Sequence, residues 1–85
     1  MVNLYVIKDV KGNFNSAVMS FPNDDIAKRS VPFMVEQNET FRRYPEDFVV
    51  FRIGQFNYES GIIDPESTPV YICDLTFGKE GKVDA

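Results

Sequence analysis

Tyr44-Pro45-Glu46-Asp47-Phe48-Val49-Val50-Phe51-Arg52-Ile53-Gly54-Gln55-Phe56-Asn57 holds the densest aromatic and β-branched run of the chain together with its sharpest punctuation. Pro45 fixes its own φ and disfavours the α region at Tyr44, so a preceding helix has to end and an extended segment can begin. Phe48, Val49, Val50, Phe51 and Ile53 suit a pleated surface, which makes this the expected central strand. Strict alternation puts Val49, Phe51 and Ile53 on one face and Phe48, Val50 and Arg52 on the other. The first face is wholly apolar and is expected to be buried. The second ends in a guanidinium and is expected to be half covered, with any functional surface of the strand lying there.

Working outward, Leu4-Tyr5-Val6-Ile7 predicts a first strand, and Lys11-Gly12-Asn13 a turn in which the glycine takes positive φ. Phe14 to Phe21 would return antiparallel as the second half of a hairpin, ended by Pro22. Asn23-Asp24-Asp25 is a helix start. The Asn23 side chain can accept from an unpaired backbone N–H, and the two carboxylates favour the positive end of the helix dipole. Ile26, Ala27, Val31, Met34 and Val35 trace an apolar stripe, with Lys28 and Arg29 on or beside the solvent face. Pro32 inside that stripe predicts a kink or a break into two pieces, since it costs roughly 3 kcal/mol in a helix interior. Phe41-Arg42-Arg43-Tyr44 reads as a linker, Gly54 as a bulge or close approach, and Asn57 to Gly61 as a turn. Asp64 to Pro69 reads as a polar loop with two prolines, and Val70 to Leu75 as the last strand. On that strand Tyr71, Cys73 and Leu75 would share a face.

The expected fold is therefore α+β: a four-stranded, mainly antiparallel sheet with one helix packed on it. Residues 1–77 would form the single domain, and residues 78–85, which lack apolar content, a flexible tail. Eighty-five residues lie near the lower limit for burying an adequate core. The eight Phe and four Tyr offset this in part, and a homodimer interface would offset it further.

Charge narrows the function. Nine basic and thirteen acidic residues give a net charge of −4, which opposes tight non-specific binding to phosphate. The imbalance is local, because residues 1–52 carry seven cations against seven acids and the deficit lies beyond them. A basic patch in the first part is compatible with this. Histidine is absent and Cys73 is alone, which excludes an internal disulfide and a histidine-based metal or general-base site. Glu46 and Asp47 are adjacent, so on a strand they point to opposite faces and cannot flank one bond. Asp24 and Asp25 have no third ligand at metal-binding spacing. No catalytic residue, metal site or cofactor is expected. Neither a signal peptide nor a membrane span is read, so a cytoplasmic chain is expected.

In Phe41-Arg42-Arg43-Tyr44 two guanidinium groups lie between two rings, an interleaving that single-stranded nucleic acid uses for stacking and phosphate contact. Arg42, Arg43, Arg52, Lys28 and Arg29 are the candidate phosphate contacts, and Tyr44 and Phe48 the candidate stacking rings. The alternative packs Phe41 and Tyr44 under the helix, with the arginines solvated or paired with Glu39, Glu46 and Asp47.

Several of these elements recur elsewhere in the same order. Phe21-Pro22-Asn23-Asp24, Ala27 with Arg29, Tyr44-Pro45-Glu46-Asp47-Phe48 with Phe51, Ile53-Gly54-Gln55-Phe56-Asn57 and Glu59-Ser60-Gly61 resemble the small non-structural protein of microviruses of the gokushovirus type. The likeness covers roughly residues 4–63. It departs from the family's pattern at Val31 and Pro32, and at Gln55 and Asn57, where that family commonly has acids. The resemblance implies a non-catalytic role in the genome cycle of a single-stranded DNA phage. The protein would bind DNA or the replication machinery and favour single-strand synthesis and packaging. Without DNA contact, it would be an interaction module that redirects a phage or host replication protein.

Overall fold

The structure, a computed structural model, describes residues 1–77; the expected tail at 78–85 lies outside the described residues. Strand β1 (Val2–Asp9) occupies the interior of one antiparallel sheet. It pairs on one side with two short pieces, β2 (Phe14–Asn15) and β3 (Met19–Phe21), and on the other with β4 (Phe48–Asn57). Strand β5 (Ile62–Asp74) pairs with β4 and forms the far edge. Helix α1 (Asp24–Gln37) packs on one face, and a short helix α2 (Glu39–Arg43) follows. Among the described residues the sheet has five strands, all antiparallel, in four columns, as the α+β reading with its four expected strands requires once the hairpin partner is split in two.

The single hairpin partner expected over Phe14–Phe21 is interrupted at residues 16–18, where Ser16 takes over the pairing. Its backbone N–H donates to the Ile7 carbonyl, and its Oγ accepts from the Ile7 N–H at 2.9 Å. In the preceding turn Asn13, rather than Gly12, takes the positive φ, at 57°.

Helix α1 starts as its sequence dictates, with Asn23 Oδ1 accepting from the Ile26 N–H at 2.9 Å. It does not break at Pro32. Val31 and Val35 on either side are both buried in the core, each contributing roughly 1.5–3 kcal/mol. Together they outweigh the roughly 3 kcal/mol that an interior proline costs. The interruption comes instead at Asn38, whose Oδ1 accepts from the Phe41 N–H and caps α2. The residues expected as a linker, Phe41 to Arg43, are thereby helical, and Pro45–Asp47 form a single 3-10 turn before β4.

The largest correction concerns the two faces of β4. Helix α1 covers the Phe48, Val50 and Arg52 face, where Phe48 and Val50 join Tyr5, Ile7, Ala27, Val31, Val35, Cys73 and Leu75 in one core. Val49, Phe51 and Ile53 lie on the face left uncovered by the described residues and are only partly shielded. On β5 a register shift opposite Val50 and Phe51 sends neighbouring odd-numbered residues to opposite faces. Cys73 pairs with Val50 over the core, whereas Tyr71 pairs with Phe51 outside it. The supposed loop Asp64 to Pro69 belongs to β5, with a second irregularity opposite Arg52 and Gly54.

Gly54 marks that second irregularity. A Cβ there would lie 2.7 Å from the Asp64 carbonyl oxygen and 3.0 Å from the Pro65 Cα, so the two backbones approach as only glycine allows. Gly54→Ala is therefore expected to lower stability by about 1–3 kcal/mol, measured by urea unfolding. An unchanged midpoint would show that β5 can move away from β4 at little cost.

Candidate functional site

Two regions were expected to meet in one patch: the cations of α1 and the Phe41–Tyr44 segment with the polar end of β4. The structure separates them. Arg52 reaches across the sheet and is held between two carboxylates, with Nη1 donating to Asp24 Oδ2 at 2.6 Å and Nε donating to Glu66 Oε2 at 2.8 Å. Asp24 also accepts from the Tyr5 hydroxyl at 2.7 Å, and Tyr5 in turn accepts from Asn3, which accepts from Gln55. This chain of polar groups ties the first turn of α1 to β1, β4 and β5. It also neutralises Arg52, whose half-buried guanidinium is engaged by both carboxylates. Phe48, the second ring proposed for stacking, is 8% exposed and meets Phe41 edge-on at 4.9 Å between ring centroids. Its ring belongs to the core.

The remaining candidates divide between two flanks of α1. Lys28 lies on the β5 side and lines a cavity of about 300 Å³ with Cys73, Asp74, Thr76 and Phe77. Arg29 lies on the opposite, exposed ridge, which continues at helical spacing to Phe33, 65% exposed. Phe33 was not among the sequence candidates. Its signal was the four-residue step from Arg29 combined with its place outside the Ala27–Val31–Val35 stripe.

Helix α2 brings further groups to the C-terminal end of α1. Arg42 Nη1 donates to the Glu36 carbonyl at 2.8 Å, folding the guanidinium back over the last turn of α1. Arg43 pairs with Glu39 one turn earlier at 3.6 Å, with both side chains about two-thirds exposed; such a pair contributes about 0.3–0.5 kcal/mol and opens readily. Tyr44 closes α2 with its side chain 48% exposed. Arg29, Phe33, Arg42, Arg43 and Tyr44 thus lie on the two consecutive helices, outside the core. Glu36, Glu39 and Glu46 are interleaved with them.

The thiol of Cys73 is buried, and desolvation pushes its pKa up to about 11, which makes it a poor nucleophile at neutral pH. Among the described residues, no three His, Cys, Asp or Glu side chains are placed to hold one metal ion. No helix of the described residues is long and apolar enough to cross a membrane.

These features define a small two-layer α+β domain whose solvent-facing chemistry is a mixed ring and charge surface on the helices and an uncovered apolar sheet face. The family comparison gives that architecture a setting. The model of the Phage ORF5 protein family matches residues 2–77, and the chain belongs to that family. No curated protein and no solved structure matches the chain.

The Tyr5–Asp24–Arg52–Glu66 cluster carries a pH signature. Burial raises the Asp24 pKa, but hydrogen bonds from Tyr5 and Arg52 and the charge of Arg52 outweigh it and hold the carboxyl below its ordinary 3.8. Burial, reinforced by the bond to Asp24, raises Tyr5 to about 12. A depressed carboxyl stabilises the fold fully above roughly pH 5 and loses that contribution as pH falls through about 4 and below. A raised phenol stabilises it fully below roughly pH 9 and loses that contribution as pH climbs from about 10 towards 12. Urea midpoints should therefore form a plateau between about pH 5 and 9, with both limbs falling. Tyr5→Phe should shallow the alkaline limb, leaving the part due to Tyr71, whose pKa burial and then Asp74 also raise. Arg52→Ala, which leaves Asp24 and Glu66 without their shared cation, should cost about 2–4 kcal/mol at pH 7. A loss below about 0.5 kcal/mol would mean that solvent replaces the guanidinium without penalty.

Proposed function

We propose that the protein is a non-catalytic phage accessory protein that contacts single-stranded DNA in the host cytoplasm through the α1–α2 surface, favouring single-strand genome synthesis and packaging. What supports the reading is that two consecutive helices carry Arg29, Arg42 and Arg43 and the exposed rings of Phe33 and Tyr44 outside the core, against the background of a phage protein family. Rings of this kind stack on bases of any sequence, and guanidinium groups meet the backbone. Arg52 and Phe48 have no part in this contact, because one is neutralised and the other buried. Lys28 faces the other flank of α1 and contributes only at longer range.

Three phosphate contacts on a chain of net charge −4 make binding weak and strongly salt-dependent relative to its strength. Fluorescence anisotropy of a labelled oligo-dT should give a slope of log affinity on log salt of about −2. Arg42→Ala with Arg43→Ala should bring it close to −0.7. Phe33→Ala should weaken binding by about 1–3 kcal/mol without changing the slope. A slope that ignores the arginines would move the contact off this surface.

The interleaving of Glu36, Glu39 and Glu46 with those arginines supports a second reading, in which the same surface docks a phage or host replication protein. Mixed charge of this kind suits a protein partner's complementary rim. Co-purification that survives nuclease treatment, with no anisotropy change on oligo-dT, would favour this second reading.

A further inference from the structure

The uncovered sheet face is self-complementary about a line running along β4, and from this we infer that it is the interface between two copies of this chain, packed sheet to sheet with both helical layers outward. The strand pairing fixes where each group sits. Lys8 on β1, Val49 on β4 and Asp74 on β5 form one row across the sheet. The next outward-facing row is Val6, Phe51 and Tyr71. Because β1 and β5 flank β4, a two-fold axis parallel to β4 and midway between the facing sheets lays β1 of each copy over β5 of the other. That single operation sets Lys8 opposite Asp74 of the partner subunit, twice.

The same operation matches shapes as well as charges. A cleft of about 340 Å³ opens over β1 and β4, lined by Val6, Lys8, Asn15, Phe51, Ile53 and, from β5, Pro69. On the far side of β4 stands the Tyr71 ring, 60% exposed and touching Phe51 edge-on at 6.4 Å between centroids. The axis brings the ring of each copy to the cleft of the other, and it lays Val49, Phe51 and Ile53 on their own counterparts along the centre.

Lys8 makes no ion pair among the described residues. Asp74 accepts from the Thr76 backbone N–H and hydroxyl through Oδ1, which leaves Oδ2 to meet a cation. The three columns β1, β4 and β5 that face one another across the axis, about 4.8 Å apart and eight residues long at about 3.4 Å, give roughly 400 Å² of flat face. Side-chain relief raises that towards the roughly 800 Å² per partner of a standard interface. Apolar sheets packed face to face sit about 10 Å apart, the separation that interdigitated Phe51, Ile53 and Tyr71 side chains fill.

Sedimentation equilibrium of the full chain, from about 1 to 200 μM, tests the inference, with circular dichroism confirming that each variant is folded. The expected result is a dimer for the native chain, with Lys8→Asp raising the dissociation constant at least about tenfold. Combining Lys8→Asp with Asp74→Lys should restore dimerisation, because the swapped charges meet again across the axis. Tyr71→Ser, at an exposed position, should weaken the dimer by a similar factor and serves if the charge-swapped chain does not fold. A native chain that stays monomeric to 200 μM overturns the inference. So does a dimer indifferent to both Lys8→Asp and Tyr71→Ser, since its interface would lie elsewhere.

Discussion

The bond between Asp24 and Arg52 lets the helix cover the face of the sheet that carries a guanidinium. On residue type alone the Val49, Phe51 and Ile53 face is the better hydrophobic surface, and a helix with an Ala27–Val31–Val35 stripe could pack there. The opposite face ends in a guanidinium, whose burial would be prohibitive if it were unpaired. Asp24 in the first turn of α1 removes that obstacle, and Glu66 reaching in from β5 completes the neutralisation. Tyr5 then adds its hydroxyl to the same carboxylate. The first helical turn is anchored to three strands at once, and the rest of α1 is laid along the face below it.

The anchor explains what could and could not be read from the chain. Signals confined to a few neighbouring residues were legible: the Asn23 cap, the Asn57–Gly61 turn with Gly61 at φ 77°, the close approach at Gly54, and the α+β order of elements. Signals that depend on partners far away in sequence were not. Arg52 meets a residue 28 positions earlier and another 14 positions later, and alternation along β4 carries no trace of either. Strand β5 was hidden for a related reason. Pro65 and Pro69 look like loop residues in sequence, yet on an edge strand a missing N–H can face away from the sheet at no cost, and the strand runs through both.

The candidate site followed the same division. The adjacency of Arg42, Arg43 and Tyr44 was legible because it is local, and a capped short helix keeps all three outside the core. Arg52 and Phe48 could not be separated from them without knowing which face α1 would take. Once it takes that face, Phe48 is core and Arg52 is part of the anchor. The anchor therefore sets two surfaces together: it withdraws one guanidinium from the helical side and leaves Phe51 and Tyr71 uncovered on the other.

These two surfaces impose different demands on a chain of net charge −4. A helical patch with three guanidinium groups among three carboxylates would hold a polynucleotide only weakly by itself, since each neighbouring acid offsets part of the attraction to phosphate. Pairing through the sheet faces would change that without adding a contact. It would place two such patches on opposite sides of one particle, and a strand held by the first would present itself to the second at high effective concentration. Binding would then depend on strand length, because a short oligonucleotide engages one patch and a long one can pass around to both. A flexible single strand can follow that path, whereas a duplex with a persistence length near 150 base pairs cannot turn so tightly at comparable cost. Preference for the single-stranded form would thus come from the placement of two weak sites, with no base read at either.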